Sequence, residues 1–67
     1  MSMVKVIEVL AQSTKSWEDA VQQAVADASK TLHNIKSVYV KDFQAVVESN
    51  KVTMYRVTAK ISFELER

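Results

Sequence analysis

Residues 16–33 read SWEDAVQQAVADASKTLH, and this stretch decides the fold. Trp17, Ala20, Val21, Ala24, Val25, Ala28 and Leu32 recur at steps of three and four, which places them on one stripe of an α-helix. Gln22, Gln23, Asp27 and Lys30 fall on the opposite side. Ser16 is suited to cap the helix, and Asp19 sits where a capping box puts its acid. Glu18 and Asp19 lie near the positive end of the helix dipole, Lys30 and His33 near the negative end. The pattern predicts a helix of about 18 residues, roughly 27 Å long, ending near His33. The rest of the chain must cover its apolar stripe.

On the N-terminal side, residues 3–10 (MVKVIEVL) read as a largely buried strand, and residues 11–15 (AQSTK) as the loop into the helix. On the C-terminal side, Asn34 is suited to a left-handed conformation, with Ile35 placed to close the helix end. Residues 36–47 (KSVYVKDFQAVV) and 51–66 (KVTMYRVTAKISFELE) are rich in Val, Ile, Thr, Tyr and Phe, and residues 48–51 (ESNK) form a hairpin turn between them. The order is β-α-β-β, in a single domain over residues 1–67.

The last strand alternates. Tyr55, Val57, Ala59, Ile61, Phe63 and Leu65 share the face that packs on the helix, and Met54, Arg56, Thr58, Lys60, Ser62 and Glu64 share the other. A two-residue turn at Ser49-Asn50 pairs Val40 with Ala59 and Val38 with Ile61 on the helix side. On the open side it pairs Phe43 with Arg56, Tyr39 with Lys60, and Ser37 with Ser62. Strands of this length reach about 40 and 53 Å, so part of the hairpin must overhang the helix. The overhang carries Phe43, Ala45, Val46, Val47, Val52, Met54 and Tyr55. Such a patch, with its open strand edges, promotes self-association.

Composition points the same way. The 67 residues are 48% apolar, with no cysteine, glycine or proline. No disulfide can reinforce so small a core, and oligomerisation is the usual substitute. Lacking cysteine suits a reducing cytoplasm, which is the expected location. A net charge of +1 gives no electrostatic footprint for nucleic acid, and no apolar run is long enough to span a membrane. Without glycine, positive-φ positions fall to Asn or Asp. No acid–base pair, nucleophile constellation or phosphate loop is visible, so an enzyme is not expected. His33 reads as a surface residue, and Trp17, on the apolar stripe, as a packing residue rather than a ligand platform.

KVIEVLAQS at 5–13, SWEDAVQQAVADASKTLHNIKS at 16–37 and KVTMYRVTAKISFELE at 51–66 together resemble the dodecins, without gaps from Met3 to Glu66. The resemblance implies an α+β protomer, its three-stranded antiparallel sheet wrapped partly around one helix, built into a hollow homododecamer. It also implies a non-enzymatic shell that stores a small molecule between protomers, riboflavin or FMN being the inherited ligand.

Against the flavin-binding pattern, Ser37 stands where relatives have a ring-stacking tryptophan, and Arg56 where they have a glutamine on the ring edge. Gln44 and Glu64 stand at two frequent arginine positions. Ser37, Gln44, Arg56 and Glu64 are therefore the candidate site residues. The chain is similar to a branch without the tryptophan that is described as calcium-binding. That leaves a lost flavin site, with a scaffold or a calcium site drawn from Asp42, Glu48, Glu64 or Glu66 of several protomers, as the alternative. Two readings of Arg56 stand: it grips a planar or anionic ligand, or it pairs with Asp42, Glu64 or Glu66 of another protomer.

Overall fold

The computed structural model describes residues 2–66. β1 (Ser2–Ser13), α1 (Trp17–Ala28), β2 (Ile35–Glu48) and β3 (Lys51–Glu66) follow in that order. The strands form one antiparallel sheet in the order β1-β3-β2, and α1 lies on one face of it. Thus β3 is the central strand. Its alternation is reproduced in space, since Val57, Ala59, Ile61 and Phe63 are buried and make the core together with Ala20 of α1.

The helix begins as its sequence dictates. Ser16 has extended backbone, and its Oγ accepts the Asp19 amide at 3.0 Å. Asp19 reaches back to β1, where Oδ2 accepts the Ser13 hydroxyl at 2.6 Å, and it also accepts the Gln23 amide. Ser13 Oγ in turn accepts the Lys15 amide at 2.9 Å. Ser13 is buried, so this network fastens the end of β1 to the start of α1. The hydrogen bond from Ser13, then that from Gln23, holds the Asp19 carboxyl below its ordinary pKa, with a smaller contribution from the Lys15 charge; desolvation opposes them. β1 therefore runs on through Gln12 and Ser13, which the sequence reading assigned to the loop.

The helix stops at Ala28 rather than near His33. Ser29 Oγ turns back to the Ala26 carbonyl at 2.7 Å, and the amides of Lys30 and Thr31 bond to Asp27 and Ala28, three residues back, at 3.2 Å. A short hydroxyl side chain offers the backbone this alternative to continued helix. Leu32 still faces the sheet side with Ala24 and Ala28, so the apolar stripe outlasts the helical hydrogen bonds. His33 consequently lies beyond the reach of the helix dipole. Asn34 does take a left-handed φ of 60°, immediately before β2, and its carbonyl accepts the Glu64 amide at 3.0 Å.

The hairpin turn has the two-residue form, with Glu48 opposite Lys51 and positive φ at Ser49 (52°) and Asn50 (63°). Asn tolerates this region, whereas Ser49 is an exception to the expectation that Asn or Asp would fill it. Val38–Ile61, Val40–Ala59, Tyr39–Lys60 and Ser37–Ser62 pair as expected. Phe43 does not pair with Arg56. An extra residue at Lys41 shifts the register by one, so Phe43 faces Val57 and Gln44 faces Arg56. A second irregularity, at Thr53 of β3, restores the register before the turn, and a third lies at Lys36. One inserted residue reverses which face every later side chain meets, until a second insertion cancels it.

Two outcomes follow. Replacing Ser49-Asn50 by Asn-Gly relieves a left-handed serine and is expected to raise stability by about 1 kcal/mol, read as a higher melting temperature at fixed protein concentration. Because the folded-state pKa of Asp19 is depressed, its network contributes fully above the ordinary carboxylate range and is lost as pH falls below about 4. Asp19→Asn should therefore lower the melting temperature at neutral pH and flatten its decline in acid.

Candidate functional site

The face of the sheet away from α1 carries the candidate residues. On its central strand, near the end of the three-stranded region, Arg56 stands opposite Gln44 on β2 and Gln12 on β1. Arg56 Nε donates to Gln12 Oε1 at 3.0 Å. Among the described residues Arg56 makes no ion pair. The neighbouring rows are Met54 with Val46 on one side, and Thr58 with Leu10 and Asp42 on the other. Gln12 escaped the sequence reading because residues 11–15 look like loop. Its signal was present, since Val4, Val6, Glu8, Leu10 and Gln12 continue one spacing of two.

Ser37 and Glu64 lie elsewhere on this face. The Ser37 and Ser62 hydroxyls are hydrogen-bonded, and Glu64 meets Lys36 at 3.7 Å. Ser62 is about 20 Å along β3 from Arg56. One protomer thus holds two groups, Gln44 with Arg56 and Ser37 with Glu64, and does not unite them. Lys41, the bulge residue, reaches Glu8 at 4.0 Å.

On the helix side, Trp17 packs edge-on against Tyr55 and Phe43, with ring centroids 5.0 and 5.8 Å away. Its Nε1 donates to the Gln44 carbonyl at 3.1 Å, occupying an acceptor on the free edge of β2. The indole is a packing residue, as its place on the apolar stripe implies, and the register shift at Lys41 supplies its partner Phe43. Grooves flank the helix. One of about 530 Å³ runs against β1, floored by Ile7, Val9, Ala24, Ala28 and Leu32. The other, of about 510 Å³, lies against β2 beside Trp17, Val21, Val40 and Phe43. Among the described residues no three acidic or histidine side chains converge. Among the described residues no helix is long and apolar enough to cross a membrane.

The family model for Dodecin matches residues 3–66. The chain belongs to the dodecin family. The calcium dodecin of Mycobacterium tuberculosis is 32% identical over 65 residues, covering 97% of this chain and 92% of that protein. The dodecin of Thermus thermophilus is 32% identical over 62 residues, covering 92% and 90%. The dodecin fold extends over the whole chain. The crystal structure of an arginine-to-alanine variant of the T. thermophilus dodecin superposes with a TM-score of 0.93, at 30% identity and complete coverage of both chains. The M. tuberculosis calcium dodecin, described as a calcium-chelating antigen with a calcium-binding site, gives 0.82 at 31% identity, covering 96% and 91%.

Replacing Trp17 by Phe keeps a ring in the cluster but removes the indole N–H and part of the bicyclic ring. The lost bond to the Gln44 carbonyl costs about 1 kcal/mol and the lost ring packing roughly 1 kcal/mol more, so a loss of about 2 kcal/mol is expected by chemical denaturation.

Proposed function

We propose that this chain is a non-enzymatic binding protein that assembles with copies of itself and stores a small molecule between protomers on the open face of the sheet. The row Gln12–Arg56–Gln44 carries this reading. It sets hydrogen-bonding groups across all three strands, on a face where Leu10 and Tyr39 keep 61% and 64% of their surface exposed. A flat ring laid there would shield apolar surface while its edge met the two amides and the guanidinium. Flavin, as riboflavin or FMN, is the ligand that the family relationship supports. The glutamine missing from position 56 has a counterpart on either side of it, which supports an edge contact by neighbouring residues.

Assembly is supported by two observations. Phe43, Val47 and Val52 are 65%, 60% and 49% exposed, an apolar overhang that copies of the chain could cover. Ser37 and Glu64 also sit too far from Gln44 and Arg56 to meet one ligand unless a second protomer brings its own set. A homododecamer is the assembly the family supports.

The similarity to a calcium dodecin supports a second reading, a cation held between protomers by Glu8, Asp42, Glu48 or Glu64. The side chain of Glu66, another candidate, lies outside the described residues. Calcium takes about six to eight oxygens, so such a site would need carboxylates from several copies.

Native mass spectrometry and flavin fluorescence quenching separate the readings. The storage reading expects a twelve-fold mass that gains flavin masses. It also expects Ser37→Trp to raise FMN affinity by up to about ten-fold through stacking. The cation reading expects no quenching and a melting temperature that falls with a chelator. A monomer that binds neither would reject both.

A further inference from the structure

The charge environment of Arg56 specifies what the open face selects, on the proposed reading that this face binds a ligand. We infer that the ligand is a flat molecule bearing an oxyanion, which the two terminal guanidinium nitrogens of Arg56 hold, with Gln12 as the residue that positions them. Arg56 is partly buried on the central strand, and its neighbours on both adjoining strands are neutral amides. Other cations of the sheet are treated differently. Lys36 reaches Glu64 and Lys41 reaches Glu8, while Lys60 faces Glu8 in the register. Arg56 has no carboxylate within ion-pair distance among the described residues.

The hydrogen bond at Nε fixes the orientation of the fork. Gln12 Oε1 occupies Nε, and the terminal nitrogens make no hydrogen bond among the described residues. A guanidinium stays charged throughout the accessible pH range, and its paired terminal N–H groups match the two oxygens of a carboxylate or similar anion. In open water such a contact contributes little. Between two protomers, with water displaced, the same contact strengthens as the local dielectric falls. The rows on either side of it supply a platform for the rest of the ligand, because Val46 and Met54 on one side are apolar and Leu10 on the other is largely exposed.

Asp42 sets the sign of a test. It lies opposite Thr58, diagonal to Arg56, and is the closest carboxylate by register, yet the two form no ion pair. Its charge opposes an anion at this row, so removing it should help an anion and harm a cation.

The experiment uses 2-naphthoate and 2-naphthamide, which share a ring and differ in charge, titrated calorimetrically into the assembled protein. Charge-assisted pairing predicts a preference of about ten-fold or more for naphthoate, weakening as salt rises. Arg56→Gln should abolish the preference and Arg56→Lys should keep part of it. Gln12→Ala should reduce it at unchanged assembly mass, and Asp42→Asn should increase it. If Arg56→Gln fails to assemble, the wild-type ratio and the Lys and Asp42 variants decide. Equal binding of both probes, or a preference that survives Arg56→Gln, would overturn the anion inference and leave the binding face standing. If flavin binds and neither probe does, the anion inference alone fails; if nothing binds, the binding role of the face fails with it.

Discussion

A helix of twelve residues spans about 18 Å, and it lies on a sheet within a molecule 52 Å long. That mismatch governs the molecule. The helix can bury only the middle of one sheet face, so the core is Ala20 and the alternating inner residues of β3. Where α1 begins, Trp17 extends the cover sideways by packing on Phe43 and Tyr55. Beyond that point the hairpin runs on with apolar residues in water, and the opposite face of the sheet has no cover from the chain itself. A protein of this size with so little buried core gains most from covering these surfaces with copies of itself.

The central strand tolerates this arrangement because both of its edges are paired. β2 is where the sheet adjusts. Its extra residues at Lys36 and Lys41 place lysines on an exposed edge, where charge discourages uncontrolled strand pairing. Each lysine has a carboxylate in reach, Glu64 for Lys36 and Glu8 for Lys41. The shift at Lys41 has a second effect. It turns Phe43 inward to meet Trp17 and turns Gln44 outward to stand beside Arg56. One inserted residue therefore sets both the aromatic cluster on the helix side and the amide–guanidinium row on the open side.

Membership of the dodecin family and the chemistry of that row bear on different questions. The fold explains why a polar sheet face lies exposed at all. The residues on it determine what the face attracts. With Ser37 in place of a ring, that position offers no stacking face, and on the proposed binding reading recognition would rest on hydrogen bonding and charge around Arg56. Gln12 anchors the guanidinium at Nε, and Asp42 modulates the local field without pairing with it. A bare cation would meet Arg56 as a repulsive neighbour at this row.

Much of this was legible in the chain itself. Steps of three and four from Trp17 to Ala28 determined the helix and its sheet-facing stripe, and strict alternation from Tyr55 to Leu65 determined the inner face of β3. Ser16 announced the helix start and Ser49-Asn50 the turn, because capping and left-handed conformations depend on one or two residues at a time. Three features needed the tertiary structure. Leu32 continues the apolar period past Ser29 and Thr31, so only backbone hydrogen bonds reveal that the helix ends at Ala28. Gln12 reads as loop until Ser13 and Asp19 draw β1 onward. The bulge at Lys41 leaves a trace, since unbroken alternation from Val38 and Val40 would put Asp42 and Gln44 on the helix side, but only the strand pairing shows where the extra residue sits. Which side chain stands beside Arg56 depends on the pairing of strands far apart in sequence, and that pairing is decided by how Phe43 and Gln44 partition between the two faces.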